Sequence, residues 1–408
     1  MKNGLVALTV VSAVVSLTGC HGTSRVRSDE PAAPEYSRPL GPGQWALRKI
    51  TDPAQIPDFT PGFADTTGLR QSLARSLNYL AKPTSRKWYD QGFGGITHEQ
   101  VVRSLKAFDA LLTSGKRPAE MNQAVRRDFD VYMSVGWNGK GVVLFTGYYT
   151  PIFRASLVRT TEFAYPLYAM PDDLVKDADG TILGRRGPDG VTVTTYPSRQ
   201  EIEVSGMLAG KELVYLADPF EVYICHVQGS ARLRLDAGKM MSVGYTANNG
   251  HEYHSVARML VQEGKIARDK LSLQAMIDYF KAHPHEVDRY VRSNPRFVFF
   301  AVEEGSARGS LNEPVTPMRS IATDKEVYPP AALAFASTKL ACRANGRIEP
   351  RAYRGFALDQ DTGGAIRAPG RCDVYIGVGD EAGLLAGRTY AEGRLYYLFL
   401  KPGARTPP

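Results

Sequence analysis

The stretch from Ala357 to Gly387, ALDQDTGGAIRAPGRCDVYIGVGDEAGLLAG, restricts the possible folds of this chain more than its length or composition does. Asp361 opens a tight Gly-Gly turn. Asp373 follows in a run that alternates with strand period, placing Cys372, Val374, Ile376 and Val378 on one face and Arg371, Asp373, Tyr375 and Gly377 on the other. The first face is apolar and predicts a core. The second carries a carboxylate and ends at a glycine, where no side chain crowds an approaching molecule. A lone Asp in a strand is disfavoured and commonly marks an edge or a satisfied hydrogen bond. Two carboxylates in one short glycine-rich segment point instead to a sugar or acid/base site.

The N-terminus gives an address. Lys2 precedes an apolar run from Leu5 to Leu17, which ends in Leu17-Thr18-Gly19-Cys20. That run is too short for a bilayer core of about 30 Å and fits the hydrophobic region of a signal peptide. Small residues ahead of a cysteine are similar to the bacterial lipobox, in which Cys20 is lipidated and becomes the mature N-terminus. The alternative is an ordinary signal peptide cut nearby. Several acyl chains make a stable anchor, and position 21 is His, not the Asp that retains lipoproteins in the inner membrane. The expectation is an outer-membrane lipoprotein of a Gram-negative bacterium, facing the periplasm. Residues 1–19 form the leader. Residues 20–43, with Pro31, Pro34, Pro39 and Pro42 among charges, form the lipidated Cys and a flexible tether.

With 408 residues and 43% hydrophobic content the chain can build one large or two ordinary domains. Its charge of +8, or +7 without the leader's single Lys2, favours an acidic polymer or an anionic surface and requires neither. No compact basic cluster interleaved with aromatics occurs, which argues against nucleic acid. Besides Cys20 there are Cys225, Cys342 and Cys372. The periplasm permits a Cys342–Cys372 disulfide. Alternation puts Cys372 on the core face, so a buried free thiol is the other reading.

Leu69, Leu73, Leu77 and Leu80 recur at helical spacing, as do Val101, Leu105, Phe108, Leu111 and Leu112, and both stripes read as core. Thr97 with Gln100 is a capping-box pattern for the second helix. From Gly141 the texture turns to short strands. Thr146-Gly147-Tyr148-Tyr149-Thr150-Pro151 sets rings that stack on sugar faces beside hydroxyls that hydrogen-bond directionally; a tyrosine-rich core strand is the alternative. Strands are predicted at 165–170, 191–196, 213–216, 221–227 and 295–300, and helices at 256–261 and 273–280. Gln228-Gly229-Ser230 puts an amide and a hydroxyl beside flexible backbone, and Asn248-Asn249-Gly250-His251 is a turn signal before the helix containing Arg258. HEYH at 251–254 is not the H-E-x-x-H pattern, and no grouped His/Cys/Asp ligands stand elsewhere, so neither metal nor cofactor is expected. Beyond about 309, strands at 333–337, 352–358, the aspartate segment and 394–400 predict a small barrel.

DTGGAI followed by RCDVYIGVGDEAGLLAG resembles the C-terminal three-aspartate (3D) module of the MltA family of membrane-bound lytic murein transglycosylases. FTGYYTPIF (145–153), HVQGSARLRL (226–235), VGYTANNGHEYHSVARML (243–260), NPRFVFF (294–300) and ATDKEVYPP (322–330) resemble that family's other blocks, in order. The resemblance implies a mainly β fold with some helices. Its core is a double-psi β-barrel of the barwin and endoglucanase type, with an inserted second β-rich domain and a cleft between the two. On that reading 44–150 supply the N-terminal helices and the first part of domain A, 151–308 the inserted domain B, and 309–408 the 3D domain that completes the barrel.

The resemblance also implies the chemistry. Glycosidic cleavage ordinarily pairs two carboxylates. Lytic transglycosylases instead cut the β-1,4 bond between N-acetylmuramic acid and N-acetylglucosamine without water, because the muramyl C6 hydroxyl closes on its own C1. One carboxyl group then suffices, since the substrate supplies the nucleophile in place. Asp373 matches the catalytic aspartate, with Asp361 and Asp324 as the other two; Asp359-Gln360-Asp361 offers two aspartates ahead of the Gly-Gly turn. Tyr148, Tyr149, Thr150, Gln228, Gly229, Ser230, Asn249, Gly363, Gly364 and Ala365 are the substrate-binding candidates. Arg371 would share the face of Asp373, and an adjacent cation opposes protonation of an acid, so a bulge or an outward Arg371 is expected. The expected protein is a monomeric, exolytic enzyme acting on peptidoglycan strands, with other cell-wall enzymes as partners. A hydrolytic muramidase on the same fold and a non-catalytic glycan-binding lipoprotein are the rival readings.

Overall fold

The structure, a computed structural model, describes residues 34–404 apart from 91, 178 and 179. The leader and Cys20 lie outside the described residues.

Six strands close into a barrel, in the order Val143–Thr150, Arg371–Val378, Ser320–Ala322, Arg347–Asp361, Leu333–Ala344 and Tyr390–Leu400, the last returning to the first. Two pairings are parallel, Ser320–Ala322 with Arg347–Asp361 and Arg371–Val378 with Val143–Thr150. The other four are antiparallel. Closure removes the exposed edges that an open sheet would leave. Alternate residues fill the interior: Val143 and Phe145, Ala357, Cys372 and Val374, Leu395, Tyr397 and Phe399 are all fully buried.

The helices Leu69–Leu80 and His98–Leu112 cover the barrel with the stripes read from the sequence, joined by a third, unpredicted helix, Pro118–Asp128. Leu69, Leu73, Leu105 and Phe108 are fully buried, and the Phe108 ring lies 4.8 Å from that of Phe356. Truncating such a ring costs about 3–5 kcal/mol. The expected capping box is only half made. Thr97 accepts from the Gln100 amide N at 3.1 Å, but the Gln100 side chain donates to Leu400 O at 3.3 Å and not back to Thr97.

The chain between Ile152 and Glu303 forms a second lobe. Its six-stranded sheet has the order Val298–Glu303, Met240–Asn248, Ser230–Arg234, Ile152–Ser156, Glu212–Leu216, Tyr165–Tyr168. The strand predicted at 221–227 is instead part of the helix Pro219–Gln228. Asp218 caps it by accepting from Phe220 N at 2.7 Å, Pro219 starts it, and Gly229 ends it in the left-handed region at φ 73°. The helix is buried on several sides, with Cys225 in one apolar cluster and Phe220, Tyr223 and Ile224 in another. Such a segment carries no polar face to reveal its period. His251 and His254 precede the helix Val256–Gln262 and so share no helical face. Cys225, Cys342 and Cys372 are all free thiols, so the Cys342–Cys372 disulfide is not formed.

Candidate active site

The site is built on two parallel neighbours. Arg371–Val378 runs beside Val143–Thr150, pairing Asp373 with Thr146 and Tyr375 with Tyr148. Because Cys372 and Val374 turn into the barrel, Asp373 turns out of it. The predicted alternation holds through Tyr375, which stays on the face of Asp373 and is buried there against Tyr148. A register shift between Tyr375 and Gly377 then breaks it, so that Val378 is exposed and Gly377 takes φ +144°.

Asp361 reaches the same row by a second irregularity. In a regular strand Asp359 and Asp361 would share a face. The register against Ser320–Ala322 slips there, pairing Ile321 with Asp359 but Ala322 with Asp361. Asp359 therefore points into the barrel, where it pairs with Lys325 and accepts from Thr323 Oγ1 at 2.7 Å and Tyr397 OH at 2.6 Å. Asp361 points out. Ala322 also pairs with Asp373, so Thr146, Asp373, Ala322 and Asp361 form one lateral row across four strands. At about 4.8 Å per strand the two aspartate backbones stand about 10 Å apart, with only a methyl group between them.

The contacts of Asp373 are asymmetric. Its Oδ1 accepts from the Thr146 hydroxyl and from Arg371 Nη2 at 3.1 Å. Its Oδ2 accepts nothing from any described residue. Arg371 also donates to Thr146 Oγ1 at 3.3 Å. The expectation of an outward Arg371 fails: with the strand regular at this point, positions 371 and 373 share a face, and the guanidinium closes on the carboxylate. Asp361 Oδ1 accepts from Ser310 N and from Thr362 N, both at 2.8 Å. Burial pushes its carboxyl up from the ordinary aspartate range against the pull of those amides. The Tyr148 hydroxyl is buried beside Asp361, with no partner in hydrogen-bond geometry among the described residues. Its burial first, and the Asp361 charge second, hold its pKa well above the usual tyrosine range.

Asp324 has a different place. Its Oδ2 accepts from Ala368 N at 2.7 Å and its Oδ1 from Glu326 N at 3.1 Å, so it ties the loop ahead of Arg371 to the segment after Ala322. Tyr149 is buried against Ala382 and Ala386. Thr150 is buried, with its hydroxyl 2.9 Å from Tyr375 OH and 3.4 Å from Ser230 Oγ. Gln228 Oε1 accepts from Tyr149 N at 3.1 Å, and Gly229 is the C-terminal stop of its helix. These residues join the two lobes. Asn249 is saturated, donating to Pro197 O and Pro295 O and accepting from Phe297 N. Gly363, Gly364 and Ala365 form the loop after Asp361, with Gly364 against the Arg296 side chain of the second lobe.

Thr146 and Arg371 were not among the substrate or catalytic candidates. The pairing of position 146 with 373 is a register fact that no local pattern carries. A cavity of about 880 Å³ in the second lobe is lined by Asp173, Arg185 and Asp189 and lies apart from this row. Its charges are already matched: Arg185 to Asp173 at 2.7 Å, Asp189 to its own turn.

Two family models match the chain in order, the MltA specific insert domain over residues 144–301 and the 3D domain over 319–399. Membrane-bound lytic murein transglycosylase A of Escherichia coli (strain K12) is 31% identical over 278 residues, 67% of this chain and 70% of that protein. The protein of the same name from Vibrio cholerae is 30% identical over the same shares. Among solved structures, a membrane-bound lytic murein transglycosylase from Agrobacterium tumefaciens aligns with TM-score 0.72 at 24% identity, over 87% of this chain and 98% of that one, a likeness of fold. E. coli MltA with bound chitohexaose aligns with TM-score 0.66 at 25% identity, over 91% and 97%. On that identity and coverage, with one family model on each lobe, the chain belongs to the membrane-bound lytic murein transglycosylase A family.

Proposed function

We propose that this protein, a peptidoglycan lytic transglycosylase by its family, cuts the MurNAc–GlcNAc bond with Asp373 as its one acid/base. The observation that carries the reading is the asymmetry of Asp373. One oxygen is held by Thr146 and Arg371, and the other accepts nothing from any described residue. Oδ2 then holds the proton given to the glycosidic oxygen as the bond to C1 breaks. The resulting carboxylate takes the proton of the muramyl C6 hydroxyl as that oxygen closes on C1. The proton count balances, no water is consumed, and Arg371 steadies the carboxylate between the two steps.

A related structure, that of E. coli MltA, carries bound chitohexaose, which supports binding of glycan strands in this groove. Asp361 is a positioning group in this scheme: it neighbours Tyr148 and holds the Ser310 amide of the segment returning from the second lobe. Among the described residues no helix is long and apolar enough to cross a membrane. Attachment to the outer membrane through a lipidated Cys20 fits the membrane-bound relatives.

Digestion of purified murein sacculi tests the reading. Products ending in 1,6-anhydromuramic acid, lighter by one water than hydrolytic products, are expected. Reducing muramic ends would instead support a hydrolase in which Asp361, with its raised proton affinity, shares the work.

A further inference from the structure

Seven buried side-chain polar atoms lack a hydrogen-bond partner among the described residues, and four of them belong to Tyr148, Arg371, Arg232 and Glu303. Unpaired buried polar groups are costly and call for an explanation such as a ligand. Tyr148 and Arg371 lie two residues along their strands from the row of Asp373, on the same face. The other two lie on the opposing lobe.

Arg232, Ser242 and Glu303 are lateral neighbours on three adjacent strands of the second lobe's sheet. Their side chains therefore leave the sheet on one face. Ser230, two residues before Arg232, is on the same face, and its hydroxyl lies 3.4 Å from Thr150 Oγ1, which contacts Tyr375 OH at 2.9 Å. The face thus abuts the barrel strand that carries Asp373, and the Arg232 charge is felt at the Tyr375 hydroxyl. Glu303 lies back over Gly244, where an added Cβ would meet its carboxylate. Burial pushes the Glu303 carboxyl up, opposed by the charge and backbone of Arg308. No ion pair joins Arg232 to Glu303, although Arg232 Nε and Glu303 Oε2 are both buried and unpartnered.

The chemistry of the polymer selects the ligand. The sugars of a peptidoglycan strand are uncharged once the lactyl carboxyl of muramic acid is amidated. Free carboxylates occur in its peptide branches, and a guanidinium matches a carboxylate in geometry and charge. We propose that the sheet face bearing Arg232 and Glu303 is a subsite for the peptide branch, with Arg232 taking a branch carboxylate and Glu303 an N–H of the same branch. This rests on the reading of the groove as a peptidoglycan site and adds a specificity element to it.

The test compares the full-length, detergent-solubilised protein with its Arg232→Gln and Arg232→Lys variants on two forms of one glycan, branched strands and strands stripped by an amidase and then capped at the freed lactyl carboxyl as the methylamide. For Arg232→Gln, the rise in KM is expected to be about tenfold larger on branched than on stripped strands, with kcat little affected, and Arg232→Lys is expected to recover part of it. Equilibrium binding of a disaccharide-peptide, read by calorimetry, should weaken by a similar factor, whether or not the protein turns over. Equal penalties on the two substrates would make Arg232 a sugar contact and overturn the proposal, as would unchanged disaccharide-peptide binding. Failure of the wild type to form anhydro ends would instead strike the acid/base reading, while the binding comparison still decides this one.

Discussion

Arg371 Nη2 lies 3.1 Å from Asp373 Oδ1, two residues along the same strand and on the same face. Their side chains remain 19% and 16% exposed, so the pair is partly open to solvent and not in the core. The contact fixes which oxygen of Asp373 is occupied and leaves Oδ2 with no partner among the described residues.

Asp373→Asn keeps the Thr146 and Arg371 contacts sterically possible but cannot carry a proton back and forth. Turnover of sacculi is expected to fall by about 10²–10⁴-fold, the usual worth of a positioned acid/base, with the melting temperature little changed. Wild-type turnover in this variant would remove Asp373 from the mechanism.

Thr146→Val deletes the hydroxyl that donates to Asp373 while keeping the shape of the side chain. A hydrogen bond to a charged group is worth about 1.5–3 kcal/mol, so kcat should drop roughly 10- to 100-fold with little change in KM. A change confined to KM would make Thr146 a sugar contact only.

Lys325 and Asp359 form a buried ion pair inside the barrel, both under a tenth exposed. Lys325→Met strands the Asp359 charge and should cost about 3–5 kcal/mol. Adding Asp359→Asn, whose amide can still meet Thr323 and Tyr397, should restore most of the loss in a denaturant double-mutant cycle. Additive losses would show that the two residues act independently.

Glu221 gives a pH dependence of stability. Burial, and then the Asp218 charge, lift its carboxyl from the ordinary 4.5 to about 7. The folded state therefore binds this proton more tightly than the unfolded one, so the group's contribution is full below about pH 4.5 and is lost as pH rises to about 7. The loss is on the order of 2–3 kcal/mol. Glu221→Gln should flatten this decline, narrowing the gap between stability at pH 5 and at pH 8. An unchanged gap in urea denaturation would refute the assignment.

Much of this protein follows from local pattern. Leu69, Leu73 and Leu105 announce their helices because one face is wet and the other dry, and Cys372 and Val374 announce a core strand by alternation with Asp373. Where a helix packs on several sides and even its exposed position is apolar, as Val227 is in Pro219–Gln228, the period vanishes and apolar residues mislead toward a strand.

By itself the sequence determined the aspartate segment, the barrel's strands in outline and the exit of Asp373 from the core, because alternation is a property of neighbouring residues. Only the tertiary structure decided which of Asp359 and Asp361 leaves the barrel interior, since a one-residue slip against Ile321 and Ala322 reverses the side on which a side chain emerges. It likewise brought Thr146 to Asp373, 227 positions apart, and set Arg232 where its charge reaches the Tyr375 hydroxyl. Register and closure depend on how distant strands bond to one another, and no local run of residues records that.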